Sequence, residues 1–80
     1  MNKILAFTAS WCGPCKAMKP TLETFDPESL IIYDIDDNKE LTQSYKISAV
    51  PTFIVVDETG LEIDRFMGSQ PKSKFESYLA

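Results

Sequence analysis

Two cysteines sit where the hydrophobic pattern of this chain changes period. Lys3 to Phe7 is a short, nearly continuous apolar run, the mark of a strand buried on both faces. After a small-residue loop, Thr8 to Trp11, the residues Ala17, Met18, Leu22 and Phe25 recur at helical spacing. That spacing predicts a helix from about Cys12 to Phe25, kinked at Pro20. Leu30 to Asp34, rich in β-branched and aromatic residues, is a second strand. A strand, a helix and another strand in that order predict a parallel pair joined by a right-handed crossover. The segment Trp11-Cys12-Gly13-Pro14-Cys15 then falls at the strand-to-helix junction.

The remaining elements follow from caps and turns. Asp37, with Glu40 three positions on, reads as the N-cap of a short helix ending near Tyr45. Thr52 to Val56 is a third apolar strand, and Asp57-Glu58-Thr59-Gly60 reads as a turn. From Leu61 to Phe66, the residues Leu61, Ile63 and Arg65 alternate with Glu62 and Asp64, which predicts a half-exposed edge strand closing an antiparallel hairpin. Pro71 suits the first turn of a last helix, with Phe75, Tyr78 and Leu79 facing the core. The expected order is β-α-β-α-β-β-α, an α/β fold with a four-stranded mixed sheet and three helices.

Eighty residues allow one small domain over residues 1–80, burying about 60% of the surface its unfolded form exposes. Net charge is −4 and no Lys/Arg cluster is present, which argues against nucleic acid as a partner. His is absent and Cys occurs twice, a poor donor set for a metal. The apolar run after Lys3 is shorter than the roughly 7–15 residues of a secretory signal core, and no run is long enough to cross a bilayer. The expectation is a cytoplasmic monomer. In that compartment paired cysteines are more often catalytic or metal-binding than structural.

A helix start presents unpaired N–H groups and the positive end of the helix dipole, both of which favour a negative charge. Cys12 is placed to hold that charge as a thiolate, with its pKa lowered towards about 7, and the thiolate is the nucleophile in disulfide exchange. Cys15, one helical turn later, is placed to attack a mixed disulfide from the protein side and release the reduced substrate. Gly13 permits close approach of another chain, and Pro14 sits where a missing N–H costs nothing. Other readings stand beside this one. Two Cys-x-x-Cys pairs build a zinc site, which here would need dimerisation, and the cysteines could be an inert core pair.

The stretch Ala9-Ser10-Trp11-Cys12-Gly13-Pro14-Cys15-Lys16, then Pro20, Asp34-Ile35-Asp36, Val50-Pro51-Thr52-Phe53 and Gly68, resembles the thioredoxin family along nearly the whole chain. The resemblance implies a minimal thioredoxin-like fold and a protein-disulfide reductase, with Cys12 as nucleophile and Cys15 as resolving thiol. It also implies a cis bond before Pro51, bringing the Val50 backbone beside Cys12 to pair with an extended substrate. Trp11, Gly13, Pro14, Ile35 and Gly68 are implied as the rim of the substrate site. Read without the family, Pro51 could be a trans proline opening a strand, Trp11 a cover for the core edge, and Ile35 either rim or core. Lys16 and Lys19 either add positive potential for the thiolate or form a solvated helix face. No bound cofactor is implied. The redox-active centre is the Cys12–Cys15 disulfide, electrons come from NADPH through a thioredoxin reductase, and clients include enzymes such as ribonucleotide reductase. The Gly13-Pro14 dipeptide implies a potential near the reducing end, about −270 mV. Two alternative functions remain: a binding module or processivity-type subunit using the same rim, and a glutaredoxin-like glutathione-dependent reductase.

Departures from the family pattern carry expectations of their own. The chain begins at what corresponds to the family's second strand, so a leading strand and helix are expected to be missing and the outer edge of Leu30–Asp34 to be bare. Ala6 stands where the family commonly has a buried Asp that assists proton transfer at the second Cys, and Ile32 where its partner Lys stands. Losing both together avoids a stranded buried charge. It also leaves Cys15 without an evident base, so slower or differently pH-dependent exchange is expected.

Overall fold

A computed structural model describes residues 1–79, so the last residue of the expected 1–80 span lies outside the described residues. The element order is β1 (Lys3–Thr8), α1 (Gly13–Leu22), β2 (Leu30–Asp34), α2 (Lys39–Ser44), β3 (Thr52–Val56), β4 (Glu62–Met67) and α3 (Lys72–Leu79). The strands form one sheet in the order β2-β1-β3-β4. β1 runs parallel to β2 and antiparallel to β3, and β3 pairs antiparallel with β4. Continuous apolar runs thus occupy the centre of the sheet, where both faces are covered. All of β3 and the middle of β1 are buried, whereas β2 and β4 are the edges.

Alternation along β1 and β3 divides the core into two layers. Ile4, Ala6, Phe53 and Val55 meet Met18 and Leu22 of α1 and Phe75 of α3 on one face. Leu5, Phe7, Ile54 and Val56 meet Leu41, Tyr45 and Ile47 on the other, beside α2. Phe75 is fully buried, with Tyr78 and Leu79 packed around the same layer, as the last helix required.

Three local expectations need correction. α1 runs through Pro20 but ends at Leu22, short of Phe25. Beyond it the backbone tightens to three-residue turns, with Thr24 N–H donating to Thr21 O (3.2 Å) and Phe25 N–H to Leu22 O (3.3 Å). Pro27 also disfavours helical backbone at Asp26. Asn38 rather than Asp37 occupies the N-cap position of the second helix, and its side chain makes no capping hydrogen bond. Asp37 is spent in the preceding turn, where its N–H donates to Asp34 O (3.1 Å). Leu61, just before β4, and Ile63 within it are exposed, and the inward residue of the strand is Phe66, which lies opposite Phe53 in the aromatic layer. The other face of β4 lies beyond the reach of the short α2. Arg65 covers it instead, with a guanidinium N–H donating to Tyr45 O (3.0 Å).

The β3–β4 turn forms as its sequence asks. One carboxylate oxygen of Asp57 accepts from Thr59 N–H (2.8 Å), Thr59 Oγ1 (2.6 Å) and Leu61 N–H (3.1 Å), and Gly60 supplies the positive φ of 89°. The Thr59 hydroxyl, then the Leu61 amide, hold the Asp57 carboxyl below its ordinary range. Arg65 does the same for Glu62, and the Tyr78 hydroxyl for Asp64. A carboxyl with a lowered folded-state pKa stabilises the fold above its unfolded pKa, about 4, and that contribution is lost as pH falls through the folded value. Urea midpoints are therefore expected to hold steady down to about pH 5 and to drop below about pH 4. Asp57→Asn should be less stable at neutral pH and show a shallower acid slope. Parallel curves for the variant and the parent would refute this assignment.

Candidate active site

Cys12 is the N-cap of α1, in extended backbone (φ −91°, ψ 117°), because the chain leaves the sheet there and turns into the helix. Its carbonyl accepts the first helical bond, from Lys16 N–H (3.1 Å), and its sulfur accepts from Cys15 N–H (3.3 Å). The sulfur thus takes the place of a capping side chain and points at the orphan N–H groups of the first turn. Pro14 lies inside that turn, where it removes a donor with no intrahelical partner. No acidic side chain occupies the first turn, so nothing there opposes a negative sulfur. Cys12 and Cys15 are paired as a disulfide with Cα atoms 5.2 Å apart, inside the range such a bond requires.

The two cysteines open on different clefts. Cys12, 6% exposed, lines a groove of about 470 Å³ with Trp11, Gly13, Pro14, Ile35 and the loop from Ile47 to Val50. The Val50–Pro51 peptide bond is cis, and the Val50 carbonyl oxygen lies 3.6 Å from the Cys12 sulfur. Thr52 Oγ1, buried, donates to Ala49 O (2.6 Å) and closes this loop against β3. Cys15, 3% exposed, instead lines a cleft of about 430 Å³ with Thr8, Ala9, Ser10, Lys16, Lys19, Leu22, Ile32 and Asp34.

Most of the residues named from sequence converge on the groove. Trp11 is 65% exposed, and its indole N–H donates to Asp36 (3.1 Å). Ile35 resolves the rim-or-core question by being both: half-buried, it lines the groove and packs against the Phe7 layer and the cysteines. Gly68 stands apart from the groove. Its N–H donates to Pro51 O (3.0 Å) with φ at 79°, so it fixes the proline from behind. Lys16 and Lys19 face the Cys15 cleft. Ala6 is fully buried in apolar packing opposite Ile32, which is 38% exposed, so neither offers a proton acceptor.

Sequence reasoning missed Ile47, Ser48 and Ala49, which extend the groove wall from Val50. The signal was their adjacency to Pro51. Nor did it give a role to Asp34 or Asp36, whereas Asp36 holds the Trp11 indole and Asp34 is the one carboxylate lining the Cys15 cleft. No helix is long and apolar enough to cross a membrane, among the described residues.

Comparison with known proteins agrees in sequence and in fold. Thioredoxin of Mycoplasma genitalium is 38% identical over 77 residues, covering 91% of this chain and 74% of that protein. Thioredoxin H-type of Fagopyrum esculentum is 35% identical over 71 residues, covering 84% of this chain and 60% of that protein. The X-ray structure of Fasciola hepatica thioredoxin superposes with a TM-score of 0.84 at 32% identity, covering 98% of this chain and 77% of that one. The sequence model of the thioredoxin family matches residues 2–80. A helix capped by a Cys-x-x-Cys sulfur, faced by a cis-proline loop and matched along almost its whole length, makes this chain a member of the thioredoxin family.

Proposed function

We propose that this chain is a thiol–disulfide oxidoreductase that reduces protein disulfides by dithiol exchange. The observation that carries this reading is the Cys12 sulfur at the start of α1, bonded to Cys15 and opening on the Val50 groove. In the reduced protein the Cys12 thiolate attacks one sulfur of a client disulfide, forming a mixed disulfide and releasing the other client sulfur as thiolate. Cys15 loses its proton and attacks the Cys12 sulfur, which restores the Cys12–Cys15 disulfide and frees the second client thiolate. Two electrons pass to the client. With Ala6 and Ile32 in place of an acid–base pair, the Cys15 proton passes to water in its own cleft. An extended client segment pairs with the Val50 backbone while Trp11, Gly13, Pro14 and Ile35 contact its side chains and Gly68 supports Pro51. Electrons return from NADPH through a thioredoxin reductase, and the expected clients are cytoplasmic disulfide-containing enzymes such as ribonucleotide reductase.

The separate clefts that the two cysteines line support this division of labour. Cys12 belongs to the groove a client can enter, and Cys15 to the protein side of α1. The test is a trap. Cys15→Ser removes the thiol that resolves the intermediate, so a mixed disulfide through Cys12 should accumulate with a model disulfide protein and be visible as a reducible adduct by mass spectrometry. Adducts on Cys15 in the reciprocal Cys12→Ser variant, with none on Cys12, would reverse the roles.

A further inference from the structure

The two edges of the sheet are treated differently. β4 carries Glu62, Asp64 and Arg65, and a register irregularity at Val55/Val56 disturbs its ladder, both devices that discourage strand addition. β2 carries a single charge, Asp34 at its end, has no proline and pairs with β1 in unbroken register. Its backbone groups can be assigned one by one. Ile4 N–H donates to Ser29 O (2.9 Å) and Ile35 N–H to Thr8 O (2.9 Å), so residues 29, 31, 33 and 35 turn their backbone towards β1. Leu30, Ile32 and Asp34 therefore turn theirs to the open edge. Two of those outward groups are already held within the chain. Leu30 N–H donates to Asp26 O (2.9 Å), and Asp34 O accepts from Asp37 N–H (3.1 Å) and Asn38 Nδ2 (2.9 Å). What remains free among the described residues is Leu30 C=O, Ile32 N–H, Ile32 C=O and Asp34 N–H: two acceptors and two donors.

From this pattern we infer that β2 pairs with the β2 of a second copy of the chain, antiparallel about a two-fold axis at Ile32, to form a continuous sheet across two molecules. In that register each Ile32 exchanges both bonds with its counterpart, and each Asp34 N–H meets the other chain's Leu30 C=O. Two donors from each chain meet two acceptors from the other, so four bonds form and no free group is left over. Slipping by two residues either way sets an Ile32 group against one already held by Asp26 or Asn38. The side chains agree with this register. Ile32, 38% exposed on the α1 face, meets its own copy, and the two Asp34 carboxylates lie opposite leucines rather than each other. Along an antiparallel pair that spacing is about 13 Å, beyond the screening length of physiological salt. No residue lining the Val50 groove belongs to β2, so the proposed contact leaves the groove uncovered.

A contact of two short strands is small, so association is weak and concentration-dependent. This departs from the expected monomer. Sedimentation equilibrium of the whole chain, from micromolar to millimolar concentration, should show the mass rising from one chain towards two. Hydrogen exchange at the Ile32 and Asp34 amides should slow over the same range. Ile32→Lys places two like charges at the two-fold axis and should raise the dissociation constant about tenfold or more, as should Ile32→Glu. Mixing the two variants should restore association, a recovery that misfolded chains do not show. A one-chain mass at every concentration, with those amides exchanging freely, overturns the inference and leaves the edge to a strand of another protein. Dimerisation that Ile32→Lys does not weaken, or a mixture that does not recover, overturns it equally by locating the contact elsewhere.

Discussion

Cys12→Ser should abolish turnover of a protein disulfide, lowering the rate at least about a thousand-fold, or roughly 4 kcal/mol of barrier. The size follows from the atom removed. Exchange requires a sulfur that is ionised near neutral pH and that forms an S–S bond with the client, and a serine hydroxyl does neither. The N–H groups at the start of α1 still point at position 12 in the variant, since serine caps helices well, so the fold should survive. Activity and stability are thereby separated. The assay is reduction of insulin by dithiothreitol with catalytic amounts of protein, alongside a thermal melt. Retention of a tenth or more of the parent rate would remove Cys12 from the chemistry and move the reading towards a binding module using the same groove. The same variant in cells separates the two functions, because a binding role survives the loss of the sulfur and a reductase role does not.

Why the site was readable and parts of the fold were not has a physical explanation. Cys12 and Cys15 are imposed by chemistry, and the strand-to-helix change of period around Trp11 fixes their setting, so both could be read from local sequence, whereas the cis bond before Pro51 was legible only through the family resemblance. The central strands β1 and β3 were legible for a similar reason, since burial on both faces leaves no room for polar residues. β4 was misjudged because alternation reports which residues share a face, not which face is covered. Phe66 turns inward because β3 sets Phe53 opposite it and α3 brings Phe75 above, both contacts distant in sequence. Asp37 resembled a cap but was consumed by the turn that precedes the helix. The Trp11–Asp36 bond joins a loop to a turn 25 residues away, and no periodicity announces such a pair.

Phe75→Ala should be the most damaging substitution for stability, costing about 3–5 kcal/mol. Phe75 is fully buried, and its ring meets three others: Phe53 edge-on at 4.8 Å, Phe66 at 5.4 Å and Phe25 at 5.9 Å. Truncation loses the transfer free energy of the ring and leaves a cavity among those rings. The partners are anchored on β3, β4 and the segment after α1, so they collapse into it only in part. Phe75 is also the one fully buried residue of α3, and so the main tie holding that helix on the sheet. A domain of this length has roughly 4–12 kcal/mol in total, at about 0.05–0.15 kcal/mol per residue, so the loss is a large share of the whole. Each kcal/mol lowers the melting temperature of a domain this small by about 4–8 °C, which predicts a fall of at least about 12 °C or a chain unfolded at room temperature. Leu61→Ala is the matched control. Leu61 is 65% exposed, and its loss should stay within about 0.5 kcal/mol. Chemical denaturation of both variants measures the difference, and equal midpoints would mean that α3 does not hold the sheet through this ring. The active site supplies an independent readout, because Cys12 and the Val50 loop lie outside the Phe75 layer. Any Phe75→Ala protein that remains folded should therefore reduce disulfides at nearly the parent rate while unfolding far earlier.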